Sequence, residues 1–393
     1  MHWQTIDWIA GGILALAWFS RIVEAAFGMR HVADIARPEW DRRPATRSGE
    51  PRVSIIVPAR NEEENIRETL AQLLALDYSN YEIIAVNDRS TDRTGQIIDE
   101  IAASPQARGL LKAIHISQLP PGWLGKTHAM WTAGQQATGD WLLFTDADVL
   151  FKPDSLRRAV AYAEAERADH VVLFPRMIMK RPGEKMMIAF FHVLFVFGHR
   201  PWKVADPQAR DHMGVGAFNL VRRRVYDAVG TYRALRMEVV DDMKLGKVIK
   251  NAGFAQRNVF GEDLISLHWA KGAFGIVDNL TKNFFAVLSF QWPRTVACIV
   301  GLGFLNLGPF LGIWLAHGWA RVPYAIALAS LFAIYYGMSL RPAISPYYFF
   351  LHPVSTSLFM YTLLLSMVHT LSNDGIVWRG TKYPLEELRK GMV

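Results

Sequence analysis

The first half of the chain alternates short apolar runs with segments whose apolar residues recur at helical spacing. The apolar runs predict strands at 53–57, 82–86, 111–116 and 141–145. The periodic segments predict helices at 62–76, after the polar stretch 87–92, and at 126–137. Strands that alternate with helices are joined by crossover connections, so we expect an α/β domain with a mostly parallel sheet.

A different pattern fills the two ends of the chain. Residues 295–316 and 322–340 contain no Asp, Glu, Lys or Arg, and each run is about as long as a helix that crosses a bilayer. A third uncharged stretch, 343–371, contains two prolines; its second part can span, whereas its first part is a turn or a re-entrant segment. The apolar segment 6–27 predicts an N-terminal anchor rather than a cleaved signal peptide, because no basic region precedes it and no clear cleavage site follows.

These patterns divide the chain into five predicted regions. They are a membrane anchor at 1–28, a basic linker at 29–50, an α/β domain at 51–292, transmembrane helices at 293–372 and a C-terminal tail at 373–393. Two apolar segments of the α/β domain, 186–197 and 276–290, predict helices that lie in the membrane interface.

Charge gives the expected orientation. Residues 1–20 hold no Lys or Arg, whereas seven arginines follow between positions 21 and 52, so the positive-inside bias places the middle of the chain in the cytoplasm. The tail after residue 373 is also basic, although three spans after a cytoplasmic domain would leave it outside. The net charge of +7 reflects these membrane flanks rather than nucleic-acid binding. The single cysteine, Cys298, excludes an intrachain disulfide.

Two acidic side chains stand at the end of the last predicted strand. Asp146 and Asp148 follow the apolar run 141–144, and open α/β sheets bind ligands at the carboxyl ends of their strands. Their carboxylates suit a hard divalent cation such as Mg²⁺ or Mn²⁺ that also holds substrate phosphates. A solvated turn that caps the next helix is the alternative. No G-x-G-x-x-G follows the first strand, which argues against a nicotinamide-binding enzyme.

Five motifs occur in order along the α/β domain. They are VSIIVPARNEEENI at 53–66, VNDRSTDRTG at 86–95, GWLGKTHA at 122–129, FTDADV at 144–149 and EVVDDMKLGKVIKNAG at 238–253. Together they resemble the inverting, membrane-anchored family 2 glycosyltransferases, and the resemblance implies a GT-A fold and a nucleotide-sugar donor. GIVWRGTKY at 375–383 resembles the W-x-G-x-x-Y ending of the carotenoid- and hopanoid-associated branch.

The resemblance assigns residues to the nucleoside. Pro58, Ala59, Asn61 and Glu62 would border the uracil and ribose, and Asp88 would hydrogen-bond the base. Helix capping by Asn61 and Glu62, and turn formation at Asp88, are the alternative roles.

The resemblance also assigns the chemistry. Asp146 and Asp148 become the metal- and nucleotide-binding pair, with Asp148 the direct ligand, and the metal neutralises charge on the departing nucleoside diphosphate. Lys126 corresponds to a phosphate-facing cation at a helix start. Asp242 aligns with the base that takes the acceptor's proton, and Asp241 with its partner. Capping of the following helix is the alternative for both, although a cap needs only one acid.

The chain departs from the family after this base. SLHWAK at 266–271 stands where processive and ceramide-type relatives carry Q-x-x-R-W, which argues against a processive polysaccharide synthase. On this comparison with the family, Trp269 would stack near the acceptor. Lys271 would contact the phosphates in place of the missing arginine. GVGAF at 214–218 resembles the small-residue loop below the sugar, where close backbone approach needs glycine.

The sequence therefore predicts a metal-dependent, inverting transferase in the cell membrane, with its catalytic domain in the cytoplasm. It would move a sugar from a nucleotide donor, expected to be a UDP-sugar, to a lipid hydroxyl or carboxyl group. Transfer to polyprenyl phosphate is the alternative within the enzyme class, and it would need a cationic acceptor site. A transporter or scaffold with a degenerate nucleotide domain is disfavoured, because the uncharged spans hold no acid or base except histidine.

Overall fold

The computed structural model describes residues 2–44, 49–261, 263–340 and 344–392. Arg47 of the predicted basic linker and Ala343, the first residue of the third uncharged stretch, lie outside the described residues. The chain forms two compact units. The sheet unit comprises Val32–Ile178, Lys203–Trp269 and Trp378–Val393, and the helical unit comprises Met1–His31, Met179–Trp202 and Ala270–Val377.

Strands and helices alternate through the middle of the chain. The strands are β1 (Val53–Ala59), β2 (Tyr81–Asp88), β3 (Leu111–Ile116), β4 (Trp141–Phe144), β5 (Leu150–Phe151), β6 (His170–Leu173), β7 (Arg176–Met177), β8 (Asn219–Arg222), β9 (Gln256–Val259), β10 (Ile265–Leu267), β11 (Gly375–Trp378) and β12 (Thr381–Pro384). The α-helices are α1 (His2–Gly28), α2 (Ile66–Leu74), α3 (Thr94–Ala102), α4 (Gly125–Gln136), α5 (Ser155–Ala165), α6 (Pro182–His199), α7 (Arg223–Ala228), α8 (Thr231–Ala234), α9 (Asp241–Asn251), α10 (Gly272–Val287), α11 (Trp292–Leu315), α12 (Arg321–Ser339), α13 (His352–Ser372) and α14 (Leu385–Lys390).

A seven-stranded sheet forms the centre of the sheet unit, in the order β3-β2-β1-β4-β8-β6-β9. Strands β3, β2, β1 and β4 run parallel, β8 runs antiparallel to both of its neighbours, and β9 pairs parallel with β6. Ile55 and Val57 of β1 belong to one buried cluster, whereas Ile56 belongs to another, so the sheet is covered on both faces. The predicted α/β class with a mostly parallel sheet is confirmed.

The helix predicted to begin at Glu62 starts one turn later, as α2. Asn61 has a left-handed φ of 53°. The backbone N–H groups of Glu62 and Glu63 donate to the side chains of Thr94 and Asp92 at 2.7 and 3.1 Å. These bonds hold the segment as a turn against the loop after β2, so the glutamates precede the helix instead of forming its first turn.

The compact units divide the chain differently from the predicted regions. Part of the predicted basic linker packs on the sheet unit, where Ile35 is fully buried. The Arg158 guanidinium donates to the carbonyl oxygens of Ile35, Ala36 and Arg37 at 3.3, 3.3 and 3.0 Å. The predicted tail from Trp378 onward also belongs to the sheet unit, and the two predicted interfacial segments lie in α6 and α10 of the helical unit.

The helical unit carries the apolar segments. Four helices of the described chain are long and apolar enough to cross a membrane, and they are Gln4–His31, Trp292–Leu315, Gly318–Ser339 and Pro346–Ser372. Within the unit, α1 packs along α12, and α13 packs against α10 and α11. The buried Trp18 indole donates to the carbonyl oxygen of Leu305 at 2.9 Å, which ties α1 to α11. These helices support membrane association.

A buried polar chain joins three helices of this unit. The Tyr335 hydroxyl of α12 lies 3.0 Å from Nδ1 of His352 at the start of α13. Nε2 of the same imidazole lies 3.1 Å from Oδ1 of Asn306 on α11. All three residues are buried, so each polar group finds its partner within the unit.

Candidate active site

The carboxyl ends of β1, β2 and β4 lie side by side, because these strands are parallel neighbours in the sheet. Asp146 and Asp148 follow β4 directly. The Asp146 backbone N–H donates to the Gly216 carbonyl at 3.1 Å, and the buried Thr145 hydroxyl donates to the Ala217 carbonyl at 2.8 Å. The loop before β8 therefore fixes the turn that carries the two acids.

Lys126 joins this turn to a second pair of acids. It is the second residue of α4. Its Nζ lies 2.7 Å from Oδ1 of Asp146 and 3.6 Å from Oδ1 of Asp241. The side chain predicted to face the phosphates thus bridges carboxylates that are distant in the sequence.

Asp241 and Asp242 begin α9, and their surroundings differ. Asp241 is 3% exposed and accepts a hydrogen bond from the Tyr232 hydroxyl at 3.3 Å. Asp242 is half-buried, and its carboxylate accepts from the backbone N–H groups of Gly216 and Met243, both at 2.7 Å. One of those donors is in its own helix, but the other belongs to the loop beside Asp146. Asp242 is therefore joined to the acidic turn, which a helix cap does not require.

Glycines bring the predicted small-residue loop close to these acids. A Cβ at Gly214 would lie 1.8 Å from the backbone oxygen of Asp242, and one at Gly216 would lie 2.4 Å from Oδ2 of Asp146. The first neighbour is backbone and cannot turn aside. Only glycine fits at Gly214 without moving the start of α9.

Burial and crowding shift the pKa values of the acids. Burial raises the pKa of Asp148 to about 7, and the carboxylates of Asp146 and Glu62 add to the shift. Burial also raises the pKa values of Asp241 and Asp242 despite the nearby ammonium group. The electrostatics of this edge therefore favour binding of a further cation.

The predicted nucleoside side lies at the ends of β1 and β2. Asp88 is 3% exposed, and both of its carboxylate oxygens accept from the Arg89 guanidinium, at 2.7 and 3.1 Å. Arg60 lies 3.9 Å from the same carboxylate. Asn61 accepts from the backbone N–H of Thr91 at 2.8 Å, which ties the loop after β1 to the loop after β2 and does not cap α2.

The remaining predicted residues lie on other elements of the structure. Pro58 and Ala59 are the last residues of β1, at the same edge as the acids. Trp269 is partly buried and packs against the core of the sheet unit. Lys271 immediately precedes α10 and belongs to the helical unit. The structure thus brings Lys126, Asp146, Asp241 and Asp242 together, along with Asp148.

Sequence reasoning missed the basic and aromatic side chains around Asp88. Arg89 is the residue after Asp88 in its motif, and Arg60 lies between two residues that were assigned. Tyr383 is 6% exposed, and its hydroxyl accepts from the Gly125 backbone N–H at 3.1 Å. The available signal for Tyr383 was its place as the last residue of the W-x-G-x-x-Y ending.

The residues at this edge of the sheet lie within a segment that matches the profile of one protein family. Residues 54–242 match the profile described as Glycosyl transferase family 2. The chain carries a family 2 glycosyltransferase domain. The match runs from the second residue of β1 to Asp242, so it includes the acidic turn, Lys126 and the acid pair of α9.

The curated relatives of this chain that are most informative carry one name. It is 22% identical over 253 residues to the 4,4'-diaponeurosporenoate glycosyltransferase of Staphylococcus haemolyticus strain JCSC1435, across 63% of this chain and 65% of that protein. The match therefore spans just under two thirds of that relative. The protein of the same name from Staphylococcus aureus strain USA300 is 21% identical over 342 residues, across 85% and 89% of the two chains. These names agree with the resemblance to the carotenoid-associated branch.

A solved structure shares the fold. The mannosyltransferase from Pyrobaculum calidifontis, determined with GDP-Man and Mn²⁺, superposes with a TM-score of 0.54 at 21% identity. The superposition covers 93% of this chain and 99% of that one. The GT-A fold implied by the motifs is confirmed.

Proposed function

We propose that this glycosyltransferase moves a sugar, with inversion at the anomeric carbon, from a nucleotide donor to a hydroxyl or carboxyl group of a lipid. The observation that carries the proposal is the cluster of Asp146, Lys126, Asp241 and Asp242 at the carboxyl ends of the strands. In this cluster, the acidic turn that we assign to the metal and the phosphates lies beside the two acids that begin α9, and a helix start with only a structural role would not need both of them.

Asp242 acts as the general base. When the acceptor is a hydroxyl, the Asp242 carboxylate takes its proton as the oxygen bonds to the anomeric carbon, and the nucleoside diphosphate leaves with the electrons of the broken bond. A carboxylate acceptor is already deprotonated and attacks without this proton transfer. The raised pKa of Asp242 makes it a stronger base than an ordinary aspartate. The Gly216 and Met243 N–H groups hold its two oxygens in place. Asp241 and Lys126 position the acidic turn.

Asp148 and Asp146 fit a divalent cation by donor chemistry, since carboxylate oxygens are the ligands that Mg²⁺ and Mn²⁺ prefer. Among the described residues, no group of three or more His, Cys, Asp or Glu side chains could hold a metal alone. The donor's phosphates and water would therefore complete the coordination. We assign the direct contact to Asp148, because Lys126 already engages Asp146. When bound, the cation neutralises charge on the departing diphosphate.

Two observations support a lipid acceptor. The described part of this chain of 393 residues contains four helices that are long and apolar enough to cross a membrane. The Staphylococcus relatives are named for diaponeurosporenoate, a carotenoid carboxylate. An acceptor of this class would reach Asp242 from the membrane.

The test is to incubate membranes that contain the protein with a panel of radiolabelled UDP- and GDP-sugars and to extract the lipids. We expect label from one donor to enter the organic phase, and membranes with the Asp242→Asn variant to serve as the matched control. Mild alkali then separates the acceptors, because a sugar ester is cleaved and an ether-type glycoside is not. Label that stays entirely water-soluble with every donor would contradict the proposal.

A further inference from the structure

The W-x-G-x-x-Y segment forms a hairpin that the chemistry above does not use. Strands β11 and β12 are joined by Arg379 and Gly380, with φ values of 48° and 77°. Two-residue hairpin loops with positive φ at both positions favour Asn, Asp or Gly at the first. An arginine there adopts an uncommon backbone conformation, and such positions are often held for function.

Arg379 contacts the loop that follows β1. Its Nη2 donates to Oε1 of Glu62 at 2.6 Å, and its Nη1 donates to the carbonyl oxygen of Arg60. The motifs assign Glu62 to the border of the uracil and ribose, so Arg379 contacts a loop that is assigned to the nucleoside.

Tyr383 contacts the other side of the same pocket. Its hydroxyl accepts from the Gly125 N–H, the first residue of α4, directly before Lys126. A Cβ at Gly125 would lie 2.3 Å from Oδ2 of Asp88, so the start of α4 touches the buried carboxylate that the motifs assign to the nucleobase. Thr381, between the two contacts, accepts from Arg89 at 3.5 Å. The hairpin thus contacts three of the segments that the motifs assign to the nucleotide.

The charges around the hairpin suit an anion. Arg60, Arg89 and Arg379 converge on two carboxylates, those of Asp88 and Glu62, which leaves a positive excess. A guanidinium presents a planar fork of N–H donors that matches phosphate oxygens, and it stays charged at every physiological pH.

We propose that Arg379 binds the diphosphate of the nucleotide donor and that Tyr383 positions the hairpin for that contact. This inference rests on the proposed function, because it names a ligand of the same site. Under this proposal, Arg379 of the C-terminal tail and not Lys271 takes the phosphate-binding role of the arginine in the Q-x-x-R-W motif, which this chain lacks. The competing explanation is that the hairpin only fastens the tail to the sheet unit.

The test uses the full-length protein in detergent with Mg²⁺ and compares binding of a nucleoside diphosphate with binding of its monophosphate. The nucleotide is whichever of UDP and GDP the wild type binds. For Arg379→Gln we expect diphosphate affinity to fall about tenfold, the loss usual for one charge-assisted contact. Monophosphate affinity should change less than about threefold, and Arg379→Lys should lie between the two.

Lys382→Gln is the matched control, since Lys382 is an exposed cation of the same hairpin. It should bind both nucleotides as the wild type does. Arg379→Gln and Arg379→Lys that both bind the diphosphate with wild-type affinity would overturn the proposal, as would equal losses for monophosphate and diphosphate. Failure of the proposed function would be a different result, in which the wild type binds a nucleotide but transfers no sugar to any lipid.

Discussion

Two neighbouring acids in α9 have different surroundings, and this difference decides their roles. Asp241 is almost fully buried between the Tyr232 hydroxyl and the Lys126 ammonium group. Asp242 keeps part of its surface and is held by two backbone N–H groups. A base must reach the acceptor, so accessibility favours Asp242, whereas Asp241 is suited to orienting Lys126.

Asp242→Asn separates catalysis from helix capping. Asparagine keeps the size and still caps the helix through its one carbonyl oxygen, but its amide cannot take a proton and accepts from only one of the Gly216 and Met243 N–H groups. With a hydroxyl acceptor we expect the transfer rate to fall about 10² to 10⁴-fold, the usual contribution of a general base. Donor affinity, measured on the same preparation, should stay near the wild-type value, and the free energy of unfolding should fall by only about 1 to 3 kcal/mol for the lost hydrogen bond.

The outcome that would contradict this assignment is a variant with a near-normal rate. Asp241→Asn serves as the comparison. Because Asp241 acts through Lys126 and the acidic turn, its loss should weaken donor binding as well as the rate. A rate loss confined to Asp241→Asn would move the base to that residue.

Loss of Asp148 should remove activity through the cation. Asp148→Ala is expected to abolish transfer while leaving the protein folded, since we assign the side chain a ligand role and its hydrogen bond is with its own backbone N–H. Excess EDTA should do the same to the wild type, and added Mg²⁺ or Mn²⁺ should restore the rate. Full activity in excess EDTA would remove the metal from the proposal.

The pH profile should show the raised pKa of Asp242. Its deprotonated form is the active one, so the rate falls as the pH drops through that pKa, and the fall begins at a higher pH than for an ordinary aspartate of about 3.9. Asp148 also has a raised pKa, but bound metal holds it deprotonated. A limb of the profile that stays in place when the metal concentration is raised tenfold belongs to Asp242, whereas a limb that moves belongs to Asp148.

At the scale of elements, the strands and helices that could be predicted from the sequence are those with a local pattern of apolar residues. β4 was predicted within one residue, because its apolar run is buried in the sheet. β3 was predicted with its observed bounds, although it is an edge strand whose Lys112 and His115 are exposed. The start of α2 was missed because side chains of Asp92 and Thr94, about thirty positions away, bind its N-terminal backbone. The hairpin's contacts were missed for the same reason, since Arg379 lies 317 positions from Glu62. Contacts of this kind follow from the tertiary fold, and a single sequence carries no local signal for them.

The polar chain between α11, α12 and α13 should stabilise the helical unit. His352→Leu leaves the Tyr335 hydroxyl and the Asn306 amide buried without this partner, so we expect a loss of about 1 kcal/mol in detergent unfolding. Ser357→Ala is the control, since this exposed hydroxyl bonds only within α13 in the described contacts. Nucleotide affinity should be unchanged in both variants. Equal stability of the two variants would show that the polar contacts of His352 do not stabilise the helical unit.

At the scale of the whole molecule, the tail constrains how the chain crosses the membrane. Arg379 and Tyr383 bond to residues of the sheet unit, so the tail and that unit lie on the same side of the bilayer. Three candidate spans, in α11, α12 and the segment Pro346–Ser372, separate them, and three crossings would place the tail on the opposite side. If these segments span a bilayer, an even number of the three must therefore cross it. The basic tail fits the same conclusion, because positive charge favours the cytoplasmic side.

We expect α11 and α12 to cross and α13, which is one continuous helix, to lie along the membrane interface on the side from which it starts. α13 buries Ser355, Thr362, Ser366 and other polar side chains within the helical unit, and it packs against α10, a helix of 16 residues that is too short to span. Reporters placed within residues 30–44 and at the C-terminus should both be cytoplasmic, and one within 317–321 should be external. A C-terminal reporter found outside, with the first one inside, would show that all three segments cross. It would then also remove the tail from the nucleotide site, because a hairpin across the bilayer cannot contact Glu62.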